Sequence, residues 1–264
     1  WSSYYWQSTR ACFATLAEEG SRKDEVAKET QATPFAKGRL TFKSLVWKIR
    51  GHRVVAPTRG QLLSLRPGDG VWLLHGVAKN DPFGAHFAAT PSFLAYRLGT
   101  DRCACRELAA LELAAEVAPS KRGETPLFGP SPGQEFTHHQ LDSALELMLA
   151  VGAGVPEDEL SNYSVHSFRI YVACALLAAS CERWLIKRML RWRGDESLEI
   201  YARVNDTEWS DWIGRTLTAS VDSTIASRIT DMDFSPEVIE SHRRVAEAML
   251  NINASAASSA RGPM

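Results

Sequence analysis

Apolar and polar positions follow different periods in different parts of the 264-residue chain, and each period predicts an element. Residues 1–45 mix aromatic, charged and small side chains between breaks at Gly20, Pro34 and Gly38, which predicts one or two helices, the better defined over Ser8–Glu19. Val46–Val55 is apolar around a basic cluster of Lys48, Arg50, His52 and Arg53. Ala56-Pro57-Thr58 then ends any helix that precedes it, because proline lacks an N–H and restricts the residue before it. Pro57 can open a short helix through Leu65. A tight turn at Pro67-Gly68-Asp69-Gly70, a strand-like run from Val71 to Val77 and a second turn at Asn80–Gly84 predict a small antiparallel sheet within about residues 71–90.

Helical spacing dominates from there. Cys105–Val117 is rich in Ala, Leu and Glu, Lys121–Gln134 is a Pro/Gly-rich connector, and Thr137 can cap a helix running to about Val151. His166–Ser180 is almost continuously apolar, the pattern of a buried central helix. Glu182–Leu190 is amphipathic, Arg191–Gly194 reads as a turn, and Asp195 can cap a helix carrying Tyr201. Near the end, Ser235 and Pro236 start a helix whose stripe is Val238, Ile239, His242, Val245, Met249 and Leu250, before an Ala/Ser-rich tail expected to be disordered. The expected fold class is mainly α with a small antiparallel β-sheet.

Composition narrows the function classes. With 45% hydrophobic and 23% charged residues the chain can bury a core without disulfides or a structural metal. Thirty Lys and Arg against 31 Asp and Glu leave a net charge of −1, so any nucleic-acid contact must come from a local basic patch. Five cysteines with one C-x-C pair, Cys103 and Cys105, lack the second ligand pair of a zinc site and read as reduced thiols. His75 and His138-His139 have no Cys or carboxylate at metal-ligand spacing and read as packing or solvent-facing side chains. The longest apolar run is far below the ~20 residues of a membrane span. The chain begins at Trp1, which reads as a fragment or processed form.

The chemistry-bearing segment is His166-Ser167-Phe168-Arg169 at the start of the most apolar helix, where i, i+3 spacing puts His166 and Arg169 on one face. Downstream runs Leu190-Arg191-Trp192-Arg193-Gly194-Asp195, with Tyr201 nine residues after Trp192 and then Ala202-Arg203. Together these segments resemble the catalytic domain of tyrosine recombinases, the integrase-like enzymes of eukaryotic mobile elements. The resemblance equates His166 and Arg169 with the family's H-S-F-R, Trp192 with its His/Trp position and Tyr201 with its nucleophile. Ala78-Lys79-Asn80-Asp81-Pro82-Phe83-Gly84 is similar to the K-T-D-x-x-G hairpin and puts Lys79 at the catalytic lysine. Arg59-Gly60-Gln61-Leu62-Leu63-Ser64-Leu65-Arg66 with Asp69 resembles R-x-x-E-L-L-x-L and points to Arg59 as the first catalytic arginine, although the leucine register aligns Thr58 there, and Arg50 is a second candidate. Pro126-Leu127-Phe128 is similar to a further marker.

The resemblance implies metal-free, cofactor-free strand exchange on double-stranded DNA. Two arginines, Arg59 and Arg169, would bind the non-bridging oxygens of the scissile phosphate with charge-assisted bonds. His166 would take the Tyr201 proton, Lys79 would protonate the leaving 5′ oxygen, and the Trp192 indole N–H would hydrogen-bond a phosphate oxygen. The product would be a covalent 3′-phosphotyrosine that permits rejoining. Departures are Gln61 for an acidic residue, Tyr171 for a small one and Leu190 for glycine. A catalytically decayed DNA-binding remnant is the alternative, an unrelated helical interaction module a third reading, and a type IB topoisomerase shares the chemistry with less similar motifs. The expected organisation is a remnant of an N-terminal helical DNA-binding domain over 1–40, the catalytic domain over 41–205, and a helical extension over 206–264. A homo-oligomer on DNA is expected, with no membrane partner, in the nucleus for a eukaryotic host and otherwise in the cytoplasm.

Overall fold

A computed structural model describes residues 2–35, 38–76, 91–100 and 103–192, together with Gly194, Leu198, Ser210, Ile213 and Gly214. The chain divides into two units, Trp1–Arg203, which holds a β-sheet and its surrounding helices, and Val204–Met264. Lys79, Tyr201, the turn at Asn80–Gly84, the helix expected after Asp195, and the helix from Ser235 with its tail lie outside the described residues.

Helix α1, Ser3–Glu19, starts where the Ser2 hydroxyl accepts the Tyr5 N–H at 3.1 Å. It ends where Gly20, at φ 68°, turns left-handed and donates its N–H to the Leu16 carbonyl at 2.9 Å. Its Ala11, Cys12 and Leu16 are fully buried and its main packing partner is α4, Ala104–Ala115. α1 is therefore part of the main core, and the division between the two units falls after Arg203. A one-turn helix α2, Lys23–Val26, follows directly.

The sheet begins upstream of the expected 71–90. Val46–Val55, whose basic cluster hid its alternation, forms strands β1, Leu45–Ile49, and β2, His52–Val54. Arg50 and Gly51 join them with φ values of 50° and 84°, the positive pair that a type I′ hairpin requires. β3, Gly70–Leu73, and β4, Ser92–Ala95, complete an antiparallel sheet of order β2-β1-β3-β4. Between β2 and β3 lies α3, Arg59–Leu63, capped by Thr58 and anchored by buried Leu62. Asp69 is buried because its carboxylate accepts the Arg50 and Arg66 backbone N–H groups at 2.7 and 3.0 Å.

The remaining helices are α5, His138–Leu147, which runs into a π-helical turn at Met148–Gly152, then α6, Val165–Ala178, and α7, Arg183–Met189. α6 is less buried than its composition suggested: Tyr171 and Cys174 are exposed, while Val165, Arg169, Val172 and Ala173 face inward. Val172, Ala173, Ile186, Leu190, Trp192 and Leu198 form a second, smaller core between α6 and α7. The fold is thus α+β, with several helices around a four-stranded antiparallel sheet. Among the described residues no helix is long and apolar enough to cross a membrane.

Candidate functional site

The end of α1, the start of α6 and the turn after α7 meet around Arg169. Ser164 and Ser167 close a capping box at the α6 N-terminus, which sets His166 and Arg169 one turn apart. Arg169 points inward and is 4% exposed. Its two terminal nitrogens donate to the carbonyls of Gly20 and Leu190, tying the α1 and α7 ends together. The guanidinium carbon lies 5.4 Å from the centre of the Trp192 ring.

Trp192 follows Arg191 in the turn after α7. Arg191 adopts φ 55°, a conformation that costs an L-residue about 1–2 kcal/mol, and is 3% exposed. Its guanidinium meets Glu19 at 2.5 Å and Glu25 at 2.7 Å, while its carbonyl accepts from Arg22 at 3.1 Å. Arg22 also pairs with Glu25 at 3.3 Å. Burial alone would raise the Glu19 carboxyl, but Arg191 and His75 hold it well below the usual carboxylate range. Burial likewise disfavours charged Arg191, and the two carboxylates outweigh it, so its pKa is raised.

Charge in this cluster does not cancel. Arg22, Arg169 and Arg191 stand against Glu19 and Glu25. Among the described residues Arg169 makes no ion pair. Its pKa is lowered to about 10, first by burial and then by repulsion from Arg22 and Arg191, partly offset by Glu25 and Glu19. At neutral pH it remains a cation. His166, on the exposed side of the same turn, has its pKa lowered by partial desolvation and by the Arg169 charge. The Arg169 cation is thus held by two backbone carbonyls and balanced at longer range by Glu25 and Glu19, with no carboxylate paired to it directly among the described residues.

The sequence-derived candidates divide as follows. His166, Arg169 and Trp192 come together. Arg59 is the exposed first residue of α3, and the charged groups that act on Arg169 are Arg22, Arg191, Glu25 and Glu19, so Arg59 is not in that set. Arg50 sits in the exposed β1–β2 turn. Lys79 and Tyr201 lie outside the described residues. Sequence reasoning missed Arg22, Glu19, Glu25 and the ion-pairing role of Arg191. The signal available was a helix-stopping Gly20 followed by Arg22 with an acidic residue three positions on, the spacing that lets the Glu25 carboxylate accept the Arg22 N–H at 2.9 Å. His75, expected to be a packing or solvent-facing histidine, is buried and makes a 2.8 Å contact to Glu19. No protein-family model and no curated protein matches this chain.

Proposed function

We propose that the chain is a tyrosine-type DNA strand transferase, whose Arg169 centre binds the scissile phosphate of double-stranded DNA. The observation that carries this reading is the inward-facing Arg169 cation, without a carboxylate of its own among the described residues, flanked by Arg22, His166 and Trp192. In-line displacement at a phosphodiester builds negative charge on the non-bridging oxygens, and paired guanidiniums meet that charge. Arg22 takes the part that the sequence assigned to Arg59, because of the two arginines that act on Arg169, Arg22 and Arg191, it is the more exposed.

The remaining roles come from the sequence resemblance. The Tyr201 phenolate attacks phosphorus, forming the P–O bond to tyrosine and breaking the bond to the 5′ oxygen. His166 accepts the tyrosine proton, and its lowered pKa keeps it in the basic form at neutral pH. Lys79 donates a proton to the departing oxygen. Assembly as a homo-oligomer on DNA, in the nucleus for a eukaryotic host, belongs to the same reading.

A second reading, the DNA-binding remnant without turnover, is favoured by one observation. Both terminal nitrogens of Arg169 are engaged by backbone carbonyls, as in an arginine that staples three segments together. Single-turnover cleavage of nicked duplex DNA separates the readings. Arg22→Ala is expected to lower the rate by orders of magnitude while Arg59→Ala leaves it near wild type. Equal rates for Arg22→Ala and wild type would overturn the assignment of Arg22, and absence of cleavage by a DNA-bound wild-type protein would favour the remnant.

A further inference from the structure

The geometry points to His75 as a positioning residue that holds the Glu19–Arg191 pair, and through it the Arg169 centre, in register with the sheet. The inference rests on the proposed function for its catalytic consequence and on the fold alone for its structural one.

His75 lies two residues beyond the end of β3, and its side chain is only 3% exposed. Its Nε2 is 2.8 Å from a Glu19 carboxylate oxygen and 3.3 Å from the Ser92 hydroxyl at the start of β4. Ser92 itself donates to the same Glu19 oxygen at 3.1 Å. Because an ionised carboxylate only accepts, Nε2 must carry the hydrogen. Nδ1 is buried with no hydrogen-bond partner among the described residues. One ring nitrogen thus faces both the serine and the glutamate. A Ser-His-Glu hydrolase would need the two on opposite ring nitrogens and an accessible serine, so the trio does not read as a nucleophilic triad.

What it does is fix one carboxylate. Glu19 receives His75, Ser92, Ser21 and Arg191, and so joins the ends of β3 and β4 to the α1 terminus and the turn after α7. Arg191 sits in a left-handed conformation that its surroundings must maintain. Its neighbours in sequence, Leu190 and Trp192, are the groups that hold Arg169 by carbonyl and by ring. Removing the His75 donor takes one of the four groups that hold the Glu19 carboxylate, and the looser carboxylate passes its displacement to Arg191 and then to the orientation of Arg169. Misplacement of about 1 Å at a reacting centre can cost on the order of 10²-fold in rate.

Two variants of the full chain test this. His75→Gln keeps an amide N–H able to reach Glu19, and His75→Leu fills the space without a donor. The guanidinium NMR signals of Arg191, assigned with Arg191→Lys, are recorded without DNA, and covalent adduct formation is timed on nicked duplex DNA. His75→Leu is expected to shift the Arg191 signals and slow adduct formation by about 10- to 100-fold, with DNA affinity unchanged, whereas His75→Gln restores both. Wild-type signals and rate in His75→Leu would overturn the proposal, as would equal losses in the two variants. A His75→Leu protein that does not fold would assign the ring to stability alone and overturn it as well. If the wild-type protein forms no adduct while the NMR signals shift as expected, the proposed function fails and the His75 link to Arg191 stands.

Discussion

Arg169 and Trp192 form a cation–π pair at 5.4 Å that crosses from the second turn of α6 to the turn after α7. Trp192 is 8% exposed and belongs to the small core with Ile186 and Leu190, so its ring serves both packing and the placement of a charge. Trp192→Phe keeps a π face and is expected to cost about 1–2 kcal/mol of stability, whereas Trp192→Ala should cost about 3–5 kcal/mol. Urea denaturation of the two variants checks the order.

The turn that ends α1 favours glycine. Gly20 has φ 68°, and a Cβ there would lie 2.7 Å from a Leu190 methyl carbon and 3.6 Å from the Val172 Cβ. Gly20→Ala should lose about 1–2 kcal/mol from the backbone alone, with more from displacing Leu190. Because the Gly20 and Leu190 carbonyls both receive Arg169, the same substitution is expected to weaken the proposed phosphate site. Thermal melting and DNA cleavage measured together should fall in parallel.

Glu19 gives the fold an acid-sensitive joint. Its folded-state pKa lies below the ordinary carboxylate value, so its contribution is fully present above about pH 4.3 and is lost as pH falls through the folded value. Glu19→Gln removes one of the two carboxylates on buried Arg191 and should cost about 3–5 kcal/mol near pH 7. The difference from wild type is expected to shrink as pH falls, which unfolding curves taken between pH 7 and pH 3 would show.

His166 titrates in the same sense. With its folded pKa lowered beneath 6.5, the unfolded chain binds the proton more readily between the two values. Its contribution to stability is therefore present above the unfolded value and lost as pH falls through the folded one. The acid limb of the cleavage rate is expected below pH 6.5, and His166→Ala should remove that limb while slowing cleavage about 10²–10⁴-fold. A limb that persists in His166→Ala would assign it to another group.

Much of the helical framework was legible because capping and period agree. Thr137 starts α5, Ser8–Glu19 lies within α1, and Glu182–Leu190 brackets α7. The β1–β2 hairpin was hidden because Lys48, Arg50, His52 and Arg53 mask its alternation, and its turn uses Arg50 where glycine or asparagine is the usual signal. Near the proposed site, the i, i+3 spacing put His166 and Arg169 on one face of a helix, and Trp192 came only from the resemblance. Arg22 was not legible, because its neighbours there are Arg169 and Arg191, 147 and 169 positions away along the chain, and only packing of α1 against α6 brings them together. Motif matching selected an arginine beside a leucine run, and of the α3 leucines Leu62 is buried while Leu63 and Arg59 face solvent.

Attack by Tyr201 on DNA bound at the Arg169 centre is tested by mass spectrometry of the adduct formed on nicked suicide DNA by wild-type protein and by Tyr201→Phe. A 3′-phosphate ester on Tyr201 is expected in the wild type and none in Tyr201→Phe, with unchanged DNA binding in both. An adduct that persists in Tyr201→Phe, or none from a wild-type protein bound tightly to that DNA, would contradict the assignment of a tyrosine-type strand transferase.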